Sequence, residues 1–144
     1  MNITISTDKS KLDIPLIHKY LSEESYWAKK IPLDIVKRSI ENSICFGVYN
    51  DEQQVGFARV TSDQATFAYL ADVFILPEYR GRGLSKQLMQ YILDYPALQG
   101  LRRWMLGTFD AHGLYKQYGF KEIRYPDRLM EIAYTAFYEN PPAK

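Results

Sequence analysis

The stretch from Leu70 to Met89 constrains the fold more than any other part of the chain. Val73 to Leu76 is a short apolar run that Pro77 ends, which favours a core strand. After a turn, apolar residues recur at helical spacing until Pro96 closes the segment. These residues are Leu84, Leu88, Met89, Tyr91 and Ile92. The pattern predicts a buried strand, a tight turn and an amphipathic helix.

The turn itself reads Arg80-Gly81-Arg82-Gly83. Backbone N–H groups at the start of a helix have no intrahelical partner and lie at the positive end of the helix dipole. Glycines let a phosphate approach that backbone, and Arg80, Arg82 and Lys86 add positive charge. The alternative is an exposed basic turn whose glycines serve only the backbone geometry. Because a strand precedes the turn and a long helix follows it, the context favours a phosphate-binding loop.

This loop resembles motif A of the GNAT superfamily of acyl-CoA N-acyltransferases, whose signature is Gln/Arg-x-x-Gly-x-Gly/Ala. Here Ser85 stands in place of the last Gly or Ala. The resemblance implies that the pyrophosphate of acetyl-CoA lies on the N–H groups of residues 81–86 and that the pantetheine arm bonds to the main chain of residues 73–75. The coenzyme-binding residues implied in this region are Val73, Phe74, Ile75, Arg80, Gly81, Arg82, Gly83, Leu84, Ser85 and Lys86.

A second stretch, residues 108–120, is similar to the GNAT pattern Asn-x-x-Ala-x-x-Leu-Tyr-x-x-x-Gly-Phe. Thr108 replaces the family's asparagine, which often contacts the coenzyme, and Tyr115 holds the place of the family's tyrosine. The matching positions are Ala111, Leu114, Tyr115, Gly119 and Phe120. The resemblance implies that Tyr115 protonates the departing thiolate, and a tyrosine of pKa ~10 beside a thiol of pKa ~8.5 can do so. The alternative for Tyr115 is a ring packed on the sheet with its hydroxyl at the surface.

Asp72 is the candidate general base, because it is a charged residue inside an apolar strand. An alkylamine of pKa ~10.4 is mostly protonated at neutral pH, and freeing it costs about 4.6 kcal/mol. A carboxylate, a water relay or desolvation of the cleft must lower that cost. The alternative is a structural aspartate that backbone N–H groups or an arginine such as Arg59 hold in place.

The remaining candidates are two adjacent aromatic residues, one cysteine and two histidines. Tyr26 and Trp27 fall where GNAT enzymes form the acceptor side of the cleft, so they line a substrate pocket or else cap the core. Cys45 and His112 could be a nucleophile and its base, but they lie in separate elements. A buried cysteine on a strand and a surface histidine on a helix are therefore favoured over a catalytic pair. His18 and His112 lack ligand-like spacing, so no metal site is expected.

The predicted order of elements is strand, two helices, three or four strands, helix, strand, helix and two closing strands. The two closing strands are predicted at residues 120–123 and 129–132, and Asp110 is predicted to cap a helix over residues 111–118. This order matches the GNAT arrangement, an α/β (α+β) fold with a mixed, mostly antiparallel central sheet and helices on both faces. Residues 1–138 are expected to form one domain and residues 139–144 a disordered tail.

Composition narrows the class of protein. A net charge of +1 in 144 residues argues against a nucleic-acid or membrane-surface protein. No apolar run approaches the ~20 residues that span a bilayer, and the first residues do not resemble a signal peptide. The single cysteine, Cys45, fits a reducing cytoplasm, so a cytoplasmic protein is expected.

The expected function is transfer of an acetyl group from acetyl-CoA, as co-substrate, to a small-molecule or peptide amine by direct attack. The alternative is a non-catalytic acyl-CoA-binding sensor or scaffold module, which the departures at Ser85 and Thr108 keep open. A small nucleic-acid-binding domain that uses Arg80 and Arg82 is a weaker rival, because the net charge is near zero. The sequence leaves the acceptor amine undetermined and a homodimer open.

Overall fold

A five-stranded sheet lies at the centre of the protein in the computed structural model, which describes residues 1–134 and 136–139. Its strands follow one another in chain order across the sheet. The pairs β1–β2, β2–β3 and β3–β4 are antiparallel, and β5 runs parallel to β4. The strands are β1 (Ile3–Ser6), β2 (Ile44–Asn50), β3 (Gln53–Ser62), β4 (Phe67–Ile75) and β5 (Arg103–Leu106). The prediction of a mixed, mostly antiparallel sheet is confirmed.

Four α-helices flank the sheet in the part of the chain that the structure describes. They are α1 (Ile14–Lys19), which continues into a π-helical turn (Tyr20–Glu24), α2 (Leu33–Glu41), α3 (Leu84–Leu93) and α4 (His112–Lys116). Local sequence explains where α1 begins, because the Asp13 carboxylate accepts a hydrogen bond from the N–H of Leu16 at 3.1 Å and Pro15 occupies the first turn. Short 3-10 turns lie at Lys9–Lys11, Pro77–Tyr79, Pro96–Leu98 and Pro126–Arg128.

The helices cover both faces of the sheet, as predicted. The apolar side of α3 packs in one hydrophobic cluster with Phe46 of β2, whereas α1 and α2 pack in a second cluster with Cys45 of the same strand. Adjacent strand residues point to opposite faces, so one strand serves both clusters. Full burial of one large apolar side chain contributes about 1.5–3 kcal/mol, and the two clusters therefore hold the helices against the sheet.

A β-bulge interrupts β4 in the middle of the sheet. Phe57 pairs with Phe74 and Arg59 with Ala71, so β4 has one residue more than β3 between these pairs. Asp72 lies in the bulge with a φ of +55°, a left-handed conformation that Asp adopts more readily than most residues. Pairing between β4 and β5 stops at Leu70 and Leu106, although β4 continues to Ile75. The two parallel strands thus separate just beyond Leu70.

Two predictions near the C-terminus are wrong. Residues 120–123 and 129–132 form no strand, and the structure places only the 3-10 turn Pro126–Arg128 in this region. A segment becomes a strand only when it exchanges main-chain hydrogen bonds with a neighbouring strand, and these two segments pair with none of the five strands of the described residues. Asp110 does not cap α4 either, since the Thr108 hydroxyl accepts from the N–H of Ala111 at 3.0 Å.

The bounds of the domain remain a prediction. Residues 140–144, most of the predicted tail, lie outside the described residues, as does Thr135. Within residues 1–134 and 136–139, no helix has both the length and the apolar character that crossing a bilayer requires.

Candidate active site

A cavity of about 480 Å³ opens where β4 and β5 separate. Residues of β4, β5, α4 and the loop after the π-helical turn line it. It brings together six of the candidate catalytic, coenzyme-binding and substrate-binding residues, from distant parts of the chain. They are Tyr26, Trp27, Asp72, Val73, Thr108 and Tyr115.

Asp72 makes two short side-chain contacts beside this cavity. Its Oδ2 accepts from Nε of Arg59 at 2.8 Å, and its Oδ1 accepts from Nε1 of Trp27 at 2.8 Å. The Arg59 side chain is 20% exposed and that of Asp72 only 10%, so the ion pair is largely shielded from water. Both carboxylate oxygens therefore already accept a hydrogen bond. These contacts favour an aspartate that holds the structure together over one that acts as the general base.

Tyr26 and Trp27 close one side of the cavity through contacts with two different elements. The Tyr26 hydroxyl accepts from the N–H of Phe109 at 2.9 Å, and Trp27 bonds to Asp72 on β4. The Tyr26 ring meets those of Trp27 and Phe109 edge-on, at centroid distances of 5.0 and 6.0 Å. Both side chains stay about half exposed, which favours cavity lining over capping of the core.

Tyr115 is the most deeply buried of the candidate residues in this cavity. Its side chain is 8% exposed and its ring packs edge-on against Phe120 at 5.9 Å. Burial raises the pKa of Tyr115 to about 12, because the phenolate is poorly solvated there. The hydroxyl therefore keeps its proton throughout the neutral range.

The glycine loop forms the predicted tight turn and leads into α3. Gly81 and Gly83 both have a φ of +78°, and Gly83 is the N-cap of α3. A Cβ on either glycine would meet no atom within 4 Å, so the backbone conformation, not crowding, requires glycine here. No side chain caps the helix, which leaves the N–H groups of its first turn directed at an exposed loop.

Two of the loop's cations are placed differently from each other. Arg80 is exposed but bonded to the protein, since its Nε donates to the carbonyl of Ile75 at 3.0 Å and its Nη2 to the Tyr20 hydroxyl at 2.7 Å. Arg82 is exposed and lies over the Tyr79 ring at 5.5 Å. Arg80 thus ties the loop to the end of β4, while Arg82 remains accessible from solvent.

Other predicted coenzyme contacts are restricted by their surroundings. Phe74, Ile75 and Leu84 have buried side chains, so they present only main-chain groups to a ligand. Lys86 is exposed and Ser85 partly so. The Lys86 carbonyl accepts from the Tyr118 hydroxyl at 3.0 Å, which joins the start of α3 to the segment after α4.

The sequence did not single out two residues that shape this region. Phe109 is 83% exposed at the cavity mouth, and an aromatic residue in the polar turn of residues 107–110 was a visible signal for it. Tyr20 meets Arg80 across a separation of 60 residues, and no local pattern reveals such a contact.

The potential metal ligands remain separate in the described residues. These residues contain no group of three or more His, Cys, Asp or Glu side chains that could hold a metal ion. Cys45 is 2% exposed, and burial raises the pKa of its thiol to about 11. Nε2 of His18 lies 2.9 Å from the carbonyl of Ile31.

Comparison with known proteins places the chain in one family. The model described as "Acetyltransferase (GNAT) family" matches residues 14–120. A protein of Gibberella zeae, provisionally named an acetyltransferase, is 34% identical over an alignment that covers 97% of this chain and 90% of the relative.

Solved structures agree with this match. A GNAT-family protein from Xanthomonas campestris, provisionally described as an acetyltransferase, is 56% identical and superposes with a TM-score of 0.94 over 96% of this chain and 97% of its own. A GNAT acetyltransferase from Elizabethkingia anophelis with acetyl-CoA bound is 16% identical, covers 99% of this chain and 86% of its own, and shares the fold with a TM-score of 0.65. With the glycine loop before α3 and the tyrosine of α4 in the cavity, these matches show that the chain belongs to the GNAT family of acetyltransferases.

Proposed function

We propose that the protein transfers an acetyl group from acetyl-CoA to a primary amine by direct attack. One observation carries this proposal: the buried Tyr115 lines a cavity at the point where β4 loses its pairing with β5. The five residues of β4 beyond that point lead towards the glycine loop. A proton donor, free main-chain groups and an anion-binding loop on one side of the sheet are the parts that thioester aminolysis needs.

The donor would bind along the end of β4 and the start of α3. The uncapped N–H groups of residues 81–86 suit a diphosphate, with Arg82 and Lys86 as exposed cations and Arg80 holding the loop in place. The unpaired side of β4 suits the amides of the pantetheine arm at Val73, Phe74 and Ile75. At Ile75 the arm would have to use the N–H group, because the carbonyl already accepts from Arg80.

The chemistry forms a C–N bond and breaks a C–S bond. The amine attacks the thioester carbonyl, and a main-chain N–H of β4 stabilises the charge that develops on the carbonyl oxygen. Tyr115 then donates a proton to the departing sulfur. The proton lost by the amine passes to water, because the carboxylate of Asp72 is engaged with Arg59 and Trp27.

Trp27, Tyr26 and Phe109 would form the acceptor side of the cavity. Trp27 and Tyr26 are held there by their bonds to Asp72 and to the main chain of Phe109. Their rings offer an apolar, aromatic surface to the part of the acceptor that carries the amine.

The second candidate function is an acyl-CoA-binding module without turnover. The state of Thr108 favours it, because its hydroxyl is engaged with the N–H of Ala111. The chain then has a threonine in place of the family's asparagine, and the threonine oxygen already accepts a bond within its own turn.

The test combines calorimetry with a turnover assay on the full chain. We expect acetyl-CoA to bind with measurable heat and thiol release to depend on both acetyl-CoA and one amine of a chemically diverse panel. Binding without release for any amine would favour the module. No heat with millimolar acetyl-CoA would overturn both functions.

A further inference from the structure

The cavity between β4 and β5 has no cationic side chain on its walls. Within the part of the chain that the structure describes, its lining includes no Lys, Arg or His residue but two carboxylates, Asp72 and Asp110. The basic residues of α4, His112 and Lys116, line a different cavity. The walls of the acceptor cavity therefore carry negative charge, whereas the cations that suit the donor lie at the glycine loop and the start of α3.

The two carboxylates differ in whether the protein already supplies a cation. Asp72 is paired with Arg59 at 2.8 Å and is largely shielded from water. Asp110 is exposed at the cavity, and α4 does not use it as a cap. Among the described residues, the other ion pair joins Asp34 to Arg38, so no cation there is paired with Asp110. The charge of Asp110 is thus available to a ligand.

Aromatic rings make up much of the remaining wall. They belong to Tyr26, Trp27, Tyr69, Phe109 and Tyr115. The rings of Trp27 and Phe109 meet that of Tyr26 at 84° and 63°, so the three rings turn their faces in different directions. Phe109 is 83% exposed at the cavity mouth and precedes Asp110 in the chain. Because the face of an aromatic ring attracts a cation, rings beside an unpaired carboxylate suit an ammonium group.

We propose that the acceptor is a linear aliphatic amine with at least two amino groups, an inference that rests on the proposed acetyl transfer. One primary amine lies at the buried end of the cavity, near Tyr115. A second ammonium group lies at the mouth, against the Asp110 carboxylate and the Phe109 ring. The rings of Tyr26 and Trp27 contact the methylene chain between them. The cavity, at about 480 Å³, has the size of a small-molecule site.

The transfer removes the charge of one amino group and leaves that of the other. The reactive ammonium group loses two protons while its C–N bond to the acetyl group forms and the C–S bond of acetyl-CoA breaks. One proton ends on the sulfur of coenzyme A, by way of Tyr115, and the other passes to water. The product is a monoacetylated diamine whose second ammonium group still faces Asp110.

The same walls discriminate against acceptors that carry an acidic group. A carboxylate or phosphate on the acceptor would face Asp110, and no cation of the lining could pair with it. Like charges brought together at a binding surface weaken binding strongly. Amino acids and phosphorylated amines are therefore disfavoured, and a simple alkylamine lacks the contact that its second amino group would make.

The test compares four acceptors of similar length by acetyl-CoA-dependent thiol release from the full chain. Their far ends are an ammonium group, a methyl group, a carboxylate and an aromatic ring, in 1,4-diaminobutane, pentylamine, 4-aminobutanoate and 2-phenylethylamine. We expect the highest kcat/KM for 1,4-diaminobutane and a value about 100-fold lower for 4-aminobutanoate, because its carboxylate meets Asp110.

The outcomes separate the acceptor class from the transferase function. A kcat/KM for any of the other three amines that equals or exceeds that of 1,4-diaminobutane would overturn the diamine assignment, while the release itself would support acetyl transfer. Absence of release with all four would also overturn the diamine assignment. The chemically diverse panel then decides separately whether the chain transfers acetyl groups.

Two variants test the place of the second ammonium group. Asp110→Asn should lower the ratio of kcat/KM for 1,4-diaminobutane over pentylamine about fivefold, the effect of losing an exposed ion pair. Phe109→Leu should lower this ratio about threefold through loss of a cation–π contact. Glu41→Gln removes an exposed carboxylate that lines a different cavity, so this matched control should keep the ratio. Because a folding defect affects both amines alike, the ratio reports recognition, and an unchanged ratio in Asp110→Asn would overturn the proposal.

Discussion

Burial governs the proton on Tyr115. The pKa of its hydroxyl is raised to about 12 because the side chain is 8% exposed and a phenolate there would lack water. A thiol has a pKa of ~8.5, so full transfer of the proton to a thiolate is uphill from such a group. Tyr115 is therefore suited to stabilise the leaving sulfur by a hydrogen bond that becomes a proton transfer as negative charge develops.

Removal of that hydroxyl should slow thiol release and leave the protein folded. We expect Tyr115→Phe to lower kcat about 100-fold, at the lower end of what a positioned acid contributes. The change is measured as acetyl-CoA-dependent thiol release with the best amine of the panel. Tyr91→Phe, on the exposed side of α3, is the matched control and should keep full activity. Equal rates in Tyr115→Phe and the unaltered protein would exclude the acid role.

Asp72 is a second residue whose contacts decide its role. Asp72→Asn should lower the free energy of unfolding by about 2 kcal/mol, because the shielded Arg59 guanidinium loses its charged partner. Asparagine tolerates the φ of +55°, so the substitution tests the charge and not the bulge. Urea denaturation measures the loss, and Arg59→Met combined with Asp72→Asn should recover part of it. Unchanged stability with a large fall in kcat would instead support the role of base.

At the scale of elements, the start of α3 and the end of β4 act as one unit. Arg80 bonds to the carbonyl of Ile75, the last residue of β4, and Tyr118 bonds to the carbonyl of Lys86 in the first turn of α3. The glycine loop between the two elements is thus held at both ends while its own N–H groups face solvent. A ligand can use these groups without the loop rearranging.

A pair of glycine substitutions separates the backbone role from the ligand role. Gly83→Ala and Gly100→Ala each place a Cβ at a left-handed residue, with a φ of +78° and +73°. Both should cost about 1 kcal/mol of stability. Only Gly83→Ala should raise the KM for acetyl-CoA, by about tenfold, as expected if about 1.4 kcal/mol of donor binding is lost. A similar KM change in both variants would remove the loop from the binding site.

At the scale of the whole molecule, the sheet separates two hydrophobic clusters that each contain a buried tyrosine with a raised pKa. Tyr115 belongs to the cluster with α3, and Tyr20 to the cluster with α1 and α2. Tyr49 on β2 is a further case, with a pKa raised to about 12 by burial and no hydrogen-bond partner for its hydroxyl in the described residues. Folding therefore keeps protons on these three groups at a pH where the unfolded chain releases them.

The free energy of unfolding should consequently fall at alkaline pH. The contribution of these tyrosines is complete below pH ~10, the pKa of tyrosine in the unfolded chain, and is lost as the pH rises towards 12, because the unfolded state then binds fewer protons. Tyr49→Phe should make this decline shallower and should not weaken the protein at pH 7, since the hydroxyl it removes is unpaired. Urea denaturation between pH 7 and 11 measures both effects, with Tyr91→Phe as control. An unchanged slope in Tyr49→Phe would contradict this account.

Much of the fold followed from local patterns in the sequence. The strand, proline stop, glycine turn and helix of residues 70–93 lie where predicted. Apolar periodicity, Pro77 and Gly83 each determine the conformation of the few residues next to them, so they can be interpreted from the sequence alone. The same holds for Tyr115, which a short spaced motif placed on α4. Its presence in the cavity beside residues of β4 depends on the sheet and was not visible in the sequence alone.

Only the tertiary structure determined the contacts between residues that are far apart in the chain. The contacts of Asp72 come from residues 13 and 45 positions away, and they favour a structural role that the sequence left open beside that of base. The segments at 120–123 and 129–132 have strand-forming residues, but a strand forms only where a neighbouring strand shares its hydrogen bonds, and these segments pair with none in the described chain. Local sequence thus determined the elements and the candidate residues, whereas the three-dimensional arrangement of distant groups determined their pairing and their chemistry.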